Sequence, residues 1–271
     1  MRYPLYLLLL INAGALRLGA ETPLEAGYAA LYNLDFAGAH ADFEGWSREH
    51  PDDPLAPVSD AAVYLFSEFD RLHILQSEFF IHDQHFVTDH RLSPDPLLKR
   101  RLEAALAAAE RLTLRLPADH DSMFAAVLAH GLRSNYQALI EKRYAASFRE
   151  MKAGRELAEK LLATDPRYSD AWVAVGVENY MLSIRPAFVR WLCRLAGGET
   201  DRATGIARLR LTADRGHYLA PFARLLLAVA ALRDRNPGQA RSLLEGLARE
   251  YPRNPLYRQE LARMTNGEVA R

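Results

Sequence analysis

Residues 221–255 read PFARLLLAVAALRDRNPGQARSLLEGLAREYPRNP, an apolar run to Leu232, a break at Asn236-Pro237-Gly238, and a second run to Tyr251-Pro252. Ala228 and Ala231 are small residues in the first run, where helices can approach closely. In the second run Ala240, Leu244 and Leu247 recur at helical spacing. A two-helix unit of this size cannot bury its apolar face alone, so the stretch predicts neighbours built the same way.

The second run supplies a ruler: a small residue, an apolar residue four later, another three after that, and a proline five further on. Ala240, Leu244, Leu247 and Pro252 repeat Ala39, Phe43, Trp46 and Pro51, then Ala105, Ala109, Leu112 and Pro117, then Gly154, Ala158, Leu161 and Pro166. A degenerate copy has Gly205, Leu209 and Thr212, with His217 in the proline position. Proline is about 5% of average composition, so four in register mark a repeat, and each ends a helix. The expected fold is all-α: a short α-solenoid of about five helix-turn-helix units. Hydrophobic content of 49% excludes a disordered chain, and sustained strand alternation is absent.

The helix before one ruler copy carries Trp172-Val173-Ala174-Val175-Gly176 and Asn179-Tyr180. These residues nearly match the W-x2-L-G-x2-Y half of the tetratricopeptide pattern, and Ala61 and Tyr64 play the same parts after Pro54. The chain resembles the tetratricopeptide repeat family over most of 22–262. The block Gly176, Asn179-Tyr180, Pro186, Trp191-Leu192, Gly197-Gly198, Asp201-Arg202 and Gly205 is similar to a divergent group that includes the inclusion-body-clearance and repeat-protein-39 proteins. The ruler prolines lie 66, 49 and 86 residues apart, not multiples of the family's 34. Two insertions are therefore expected, at 67–95 and 181–198.

The chain divides into a leader at 1–20, a helical domain at 21–264 and a frayed tail at 265–271. Arg2 precedes the apolar run Leu5–Leu16, and Leu18-Gly19-Ala20 offers small residues for cleavage, the order of a secretory signal peptide. The run falls short of the ~20 residues of a spanning helix; an uncleaved anchor is the alternative. Removing Arg2 and Arg17 leaves 32 basic against 34 acidic residues, a balance that gives no general attraction to nucleic acid or anionic lipid. Cys193 is the only cysteine, so no intrachain disulfide forms; it reads as a small core residue beside Trp191.

In such arrays the first helix of each unit lines a concave binding surface. The expected function is a secreted or periplasmic, non-enzymatic scaffold that binds a protein or peptide in that groove, with no cofactor. Arg133, Asn135, Tyr136, Lys142, Arg143 and Tyr144, on one long helical run from 133 to 149, are the expected contacts, joined by Asn179, Tyr180 and Arg185. Tyr and Arg favour binding surfaces through contact area and hydrogen bonding. Two alternatives remain. His82, His85 and Asp89 share a helical face in the His-rich segment 73–90 and could hold a metal, making the chain a metal-binding protein or a metal-dependent enzyme. The apolar segment 186–195, with Arg190 and Arg194, could lie on a membrane or partner helix, or fold back as a plug in the solenoid. Leu225, Val229 and Leu232 read as buried scaffold. Arg258, Gln259, Glu260 and Arg263 read as the polar outer face of a closing helix.

Overall fold

The computed structural model describes residues 21–75, 92–116 and 119–266, and among them every regular element is helical. In chain order these are α1 (Pro23–Tyr32), α2 (Phe36–Glu49), α3 (Leu55–Arg71), α4 (Pro96–Thr113), α5 (His120–Asn135), α6 (Tyr144–Thr164), α7 (Trp172–Ser183), α8 (Ala187–Leu195), α9 (Arg202–Arg215), α10 (Ala220–Arg233), α11 (Pro237–Glu250) and α12 (Pro255–Thr265). Five hairpins follow one another: α1/α2, α3/α4, α5/α6, α7/α9 and α10/α11, closed by α12. The all-α solenoid read from the ruler is the observed fold.

The ruler marks the second helix of every pair. Ala39, Phe43, Ala109, Ala158, Leu161, Leu209, Ala240, Leu244 and Leu247 are all buried. Side-chain caps start seven of the twelve α-helices among the described residues. Thr22 and Glu25 form a capping box on α1, and Asp35, Asp95, Asp119, Asp201, Asn236 and Asn254 each accept a backbone N–H. Pro117 lies outside the described residues.

A second repeat has no sequence signature. Four of the first helices end on a left-handed residue that is not glycine: Leu34 (φ 59°), His73 (58°), Lys142 (58°) and Arg235 (54°). After α1, α3 and α10 the following N–H returns to a carbonyl five residues back: Asp35 to Ala30, Ile74 to Phe69 and Asn236 to Ala231. An L-residue there costs about 1–2 kcal/mol. Arg235 is exposed, so Arg235→Gly should raise stability by roughly 0.5–1 kcal/mol after the entropy cost of glycine. Urea unfolding of the variant checks this.

The ends of the array meet. Tyr32 Oη donates to Tyr218 O at 2.8 Å, Arg253 N to Asn33 Oδ1 at 3.0 Å and Asn254 Nδ2 to Tyr32 O at 2.9 Å. The Tyr28 ring stacks on Tyr218 (centroids 4.8 Å) and Tyr32 packs on Tyr251 (5.3 Å). Phe66 of α3 also reaches Phe222 of α10. The first unit thus closes on the last, and the first helices of the pairs face a shared interior.

Candidate functional site

That interior is a cavity of about 1360 Å³ lined from α1, α3, α5, α7, α10 and α12, with the N-terminal half of α6. Its wall is mostly carbon, from side chains such as Phe66, Leu128, Val177, Met181, Phe222 and Leu226. Pockets that hold drug-sized ligands measure about 300–1,000 Å³, so the space suits something larger than a small metabolite.

The wall is apolar for a physical reason. Each first helix carries apolar residues on more than one face, because one face packs on its own partner helix and another points to the interior. Leu225, Val229 and Leu232 all line this cavity; Val229 is buried as read, whereas Leu225 and Leu232 are only partly covered, which corrects their reading as buried scaffold. On α12, Gln259, Glu260 and Arg263 also line it; Glu260 is buried, whereas Arg258 and Gln259 are exposed. Only part of the expected polar outer face points outward, since ring closure gives α12 an interior side.

The nine expected contact residues separate into two sets. Asn135, Lys142, Tyr144 and Arg185 line the cavity. The other five do not. Arg133 turns to Glu110 at 2.7 Å. Tyr136 is buried with Lys99 5.7 Å from its ring centroid, and Arg143 is exposed and paired with Glu141 at 3.2 Å. Asn179 is 1% exposed and braces the second insertion: its Nδ2 donates to Glu199 Oε2 at 2.8 Å and its Oδ1 accepts from Asp201 N at 3.0 Å. Tyr180 is buried, with Arg202 over its ring at 5.7 Å.

The long run expected over 133–149 is two elements. A π-turn at Tyr136–Ile140 ends α5, and the left-handed Lys142 redirects the chain before α6. That break is what carries Lys142 and Tyr144 to the cavity. Burial pulls the Lys142 ammonium below its usual range. Next to it, burial pushes the Glu141 carboxyl up, but Lys99 at 2.7 Å and then Arg143 outweigh it and hold the carboxyl low.

The second insertion contains α8, none of whose residues is buried. The plug reading is thereby overturned: α8 sits at the rim, with only Val189 and Cys193, besides Pro186 before it, turned to the cavity. Cys193 is a half-covered wall residue rather than core, and burial raises its thiol above the usual range.

His82, His85 and Asp89 lie outside the described residues. Among the described residues no group of three His, Cys, Asp or Glu side chains is placed to hold a metal ion, and no helix is long and apolar enough to cross a membrane. No family model, curated protein or solved structure matches the chain.

Proposed function

We propose that this chain is a non-enzymatic binding protein of the tetratricopeptide type, exported by its leader, whose closed interior holds the apolar chain of an anionic amphiphile. The observation that carries the reading is the wall. An extended peptide brings a polar N–H and C=O with every residue, and each costs free energy when buried without a partner. An acyl chain brings none. Lys142 and Arg185 belong to the lining, so a carboxylate or phosphate head has cationic groups to meet while its tail follows the apolar surface. The first helices supply most of the wall, with α12 and the start of α6, and the second helices pack behind them, so the backbone changes little on binding.

A protein or peptide partner is the second reading, favoured by Asn135 and Tyr144 in the same lining. It fits a helical segment, which satisfies its own backbone.

Gly131 of α5 supplies the test. It lines the cavity, and a Cβ built there has nothing within 4 Å. Gly131→Ala should stabilise the fold by about 0.5–1 kcal/mol through helix propensity. Gly131→Trp should fold equally well and fill part of the cavity. Titration with a fluorescent fatty acid reads the outcome: binding by the wild type, and at least roughly tenfold weaker binding by Gly131→Trp, a loss of about 1.4 kcal/mol. No binding of the fatty acid by the wild type, with retention of a helical peptide, would replace the first reading by the second.

A further inference from the structure

The rim helix α8 has three chemically distinct faces. Val189 and Cys193 turn to the cavity. Phe188, Trp191, Leu192 and Leu195 fall on one stripe at i, i+3, i+4 and i+7, and they are 68, 51, 44 and 68% exposed. The Phe188 and Trp191 rings stack with centroids 6.3 Å apart. The third face carries Arg190 and Arg194.

The surroundings hold this helix in place from its ends rather than from its apolar face. Arg190 Nη1 donates to Arg185 O at 2.9 Å across the start. At the finish, Lys152 Nζ donates to Ala196 O at 3.0 Å and Arg155 Nη2 to Gly197 O at 3.2 Å. The return strand of chain is fixed by Glu178 and Asn179 accepting the Glu199 and Asp201 N–H groups, both at 3.0 Å. Four aromatic and aliphatic side chains are therefore presented to solvent by a fixed support. A patch so maintained marks an interaction surface.

Charge selects the partner. Residues 179–198 contain Arg185, Arg190 and Arg194 and no acid. Lys152 adds a cation at the helix end, shared with Glu156 at 3.8 Å. A Trp/Phe/Leu stripe flanked by arginines is the composition of a helix that lies in the membrane–water interface, with apolar side chains among the acyl chains and guanidinium groups at anionic headgroups. We infer that α8 is a docking surface for an anionic lipid bilayer. The inference stands on α8 alone and holds whichever ligand occupies the cavity.

Sedimentation of the full chain with phosphatidylcholine vesicles, with and without phosphatidylglycerol, tests it. The leader is common to wild type and variants, so differences between them read α8. Phe188→Ser/Trp191→Ser alters only exposed side chains, and its unchanged unfolding midpoint would establish that the fold is intact. Expected are co-sedimentation of the wild type with anionic vesicles, roughly tenfold weaker partition of the double variant, a smaller loss for Arg194→Gln, and weakened binding at high salt. Quenching of Trp191 by brominated lipid would place the stripe among acyl chains. Equal partition of wild type and Phe188→Ser/Trp191→Ser would overturn the inference. So would failure of the wild type to bind anionic vesicles, or a self-associated wild type made monomeric by the double substitution, which would assign the stripe to a second copy. Gly131→Trp should bind vesicles like wild type, so loss of cavity binding and loss of membrane docking are separately visible.

Discussion

Replacing Gly205 by alanine should destabilise the protein by about 2–4 kcal/mol, although the same change raises helix propensity by about 1 kcal/mol. Gly205 is where α9 crosses α7. A Cβ there falls 2.6 Å from Tyr180 N and 3.0 Å from Tyr180 Cα. Those are backbone atoms inside a helix, so no rotamer change relieves the clash and the two helices must separate. The opposing surface is equally tight: a Cβ on Gly176 meets Leu209 Cγ at 2.9 Å and Leu209 N at 3.0 Å. Separation would loosen Leu209, which is wholly buried, and the Asn179–Asp201 bond that carries the chain back from α8. Gly246 in α11 is the internal control, because a Cβ there has nothing within 4 Å. Gly246→Ala should stabilise by about 0.5–1 kcal/mol. Paired urea titrations read the contrast: a sign difference supports the crossing argument, and similar gains would remove it.

This crossing gives residues of the central block a structural role. Gly176, Asn179, Tyr180, Asp201, Arg202 and Gly205 are separated along the chain by α8, yet the structure brings all six to one junction. Residue type and contact are tightly coupled there. The second helices were legible for the same reason: ruler positions such as Ala39, Phe43, Ala158, Leu161, Ala240, Leu244 and Leu247 are buried, and Pro51, Pro166 and Pro252 follow the ends of α2, α6 and α11.

The interior was not legible. An apolar side chain on a first helix has the same sequence signature whether it meets a neighbouring helix or a cavity. Leu225 and Leu232 were therefore read as buried when they line the cavity. Ring closure depends on contacts about two hundred residues apart, such as Tyr32–Tyr218, and nothing local encodes them. The turn at Lys142 carries neither glycine nor proline, so the break that delivers Lys142 and Tyr144 to the cavity looked like continuous helix. Tyr180 and Asn179 illustrate the opposite error: polar residues of a binding type whose hydrogen-bonding or ring faces are used internally.

Asp170 should be the most consequential single acceptor. It is buried in the short 3-10 turn before α7, and its carboxylate collects three backbone N–H groups of the α9–α10 connection: His217 at 2.8 Å, Tyr218 at 3.2 and 3.3 Å, and Leu219 at 2.7 Å. This accounts for the worn copy of the ruler. A proline at 217 would lack the N–H that Asp170 receives, so His217→Pro, which restores the ruler, should destabilise. Asp170→Ala leaves three donors without their acceptor; at about 1–3 kcal/mol for a buried orphan and less where water reaches it, the loss should be about 3–5 kcal/mol. Tyr218 also offers its carbonyl to Tyr32, so the variant should lose hydrogen-exchange protection at 217–219 and at the ring closure first. The pH dependence has a definite sign. Burial pushes the Asp170 carboxyl above its ordinary 3.8, against the three N–H groups that pull it down. A raised acid contributes stability that is complete below 3.8 and is lost as pH rises through the folded-state value. Wild type should therefore exceed Asp170→Asn most in acid, and the gap should narrow as pH rises above 3.8. A gap that widens with pH would mean that the N–H groups outweigh burial, and that Asp170 holds the connection as a stabilised anion.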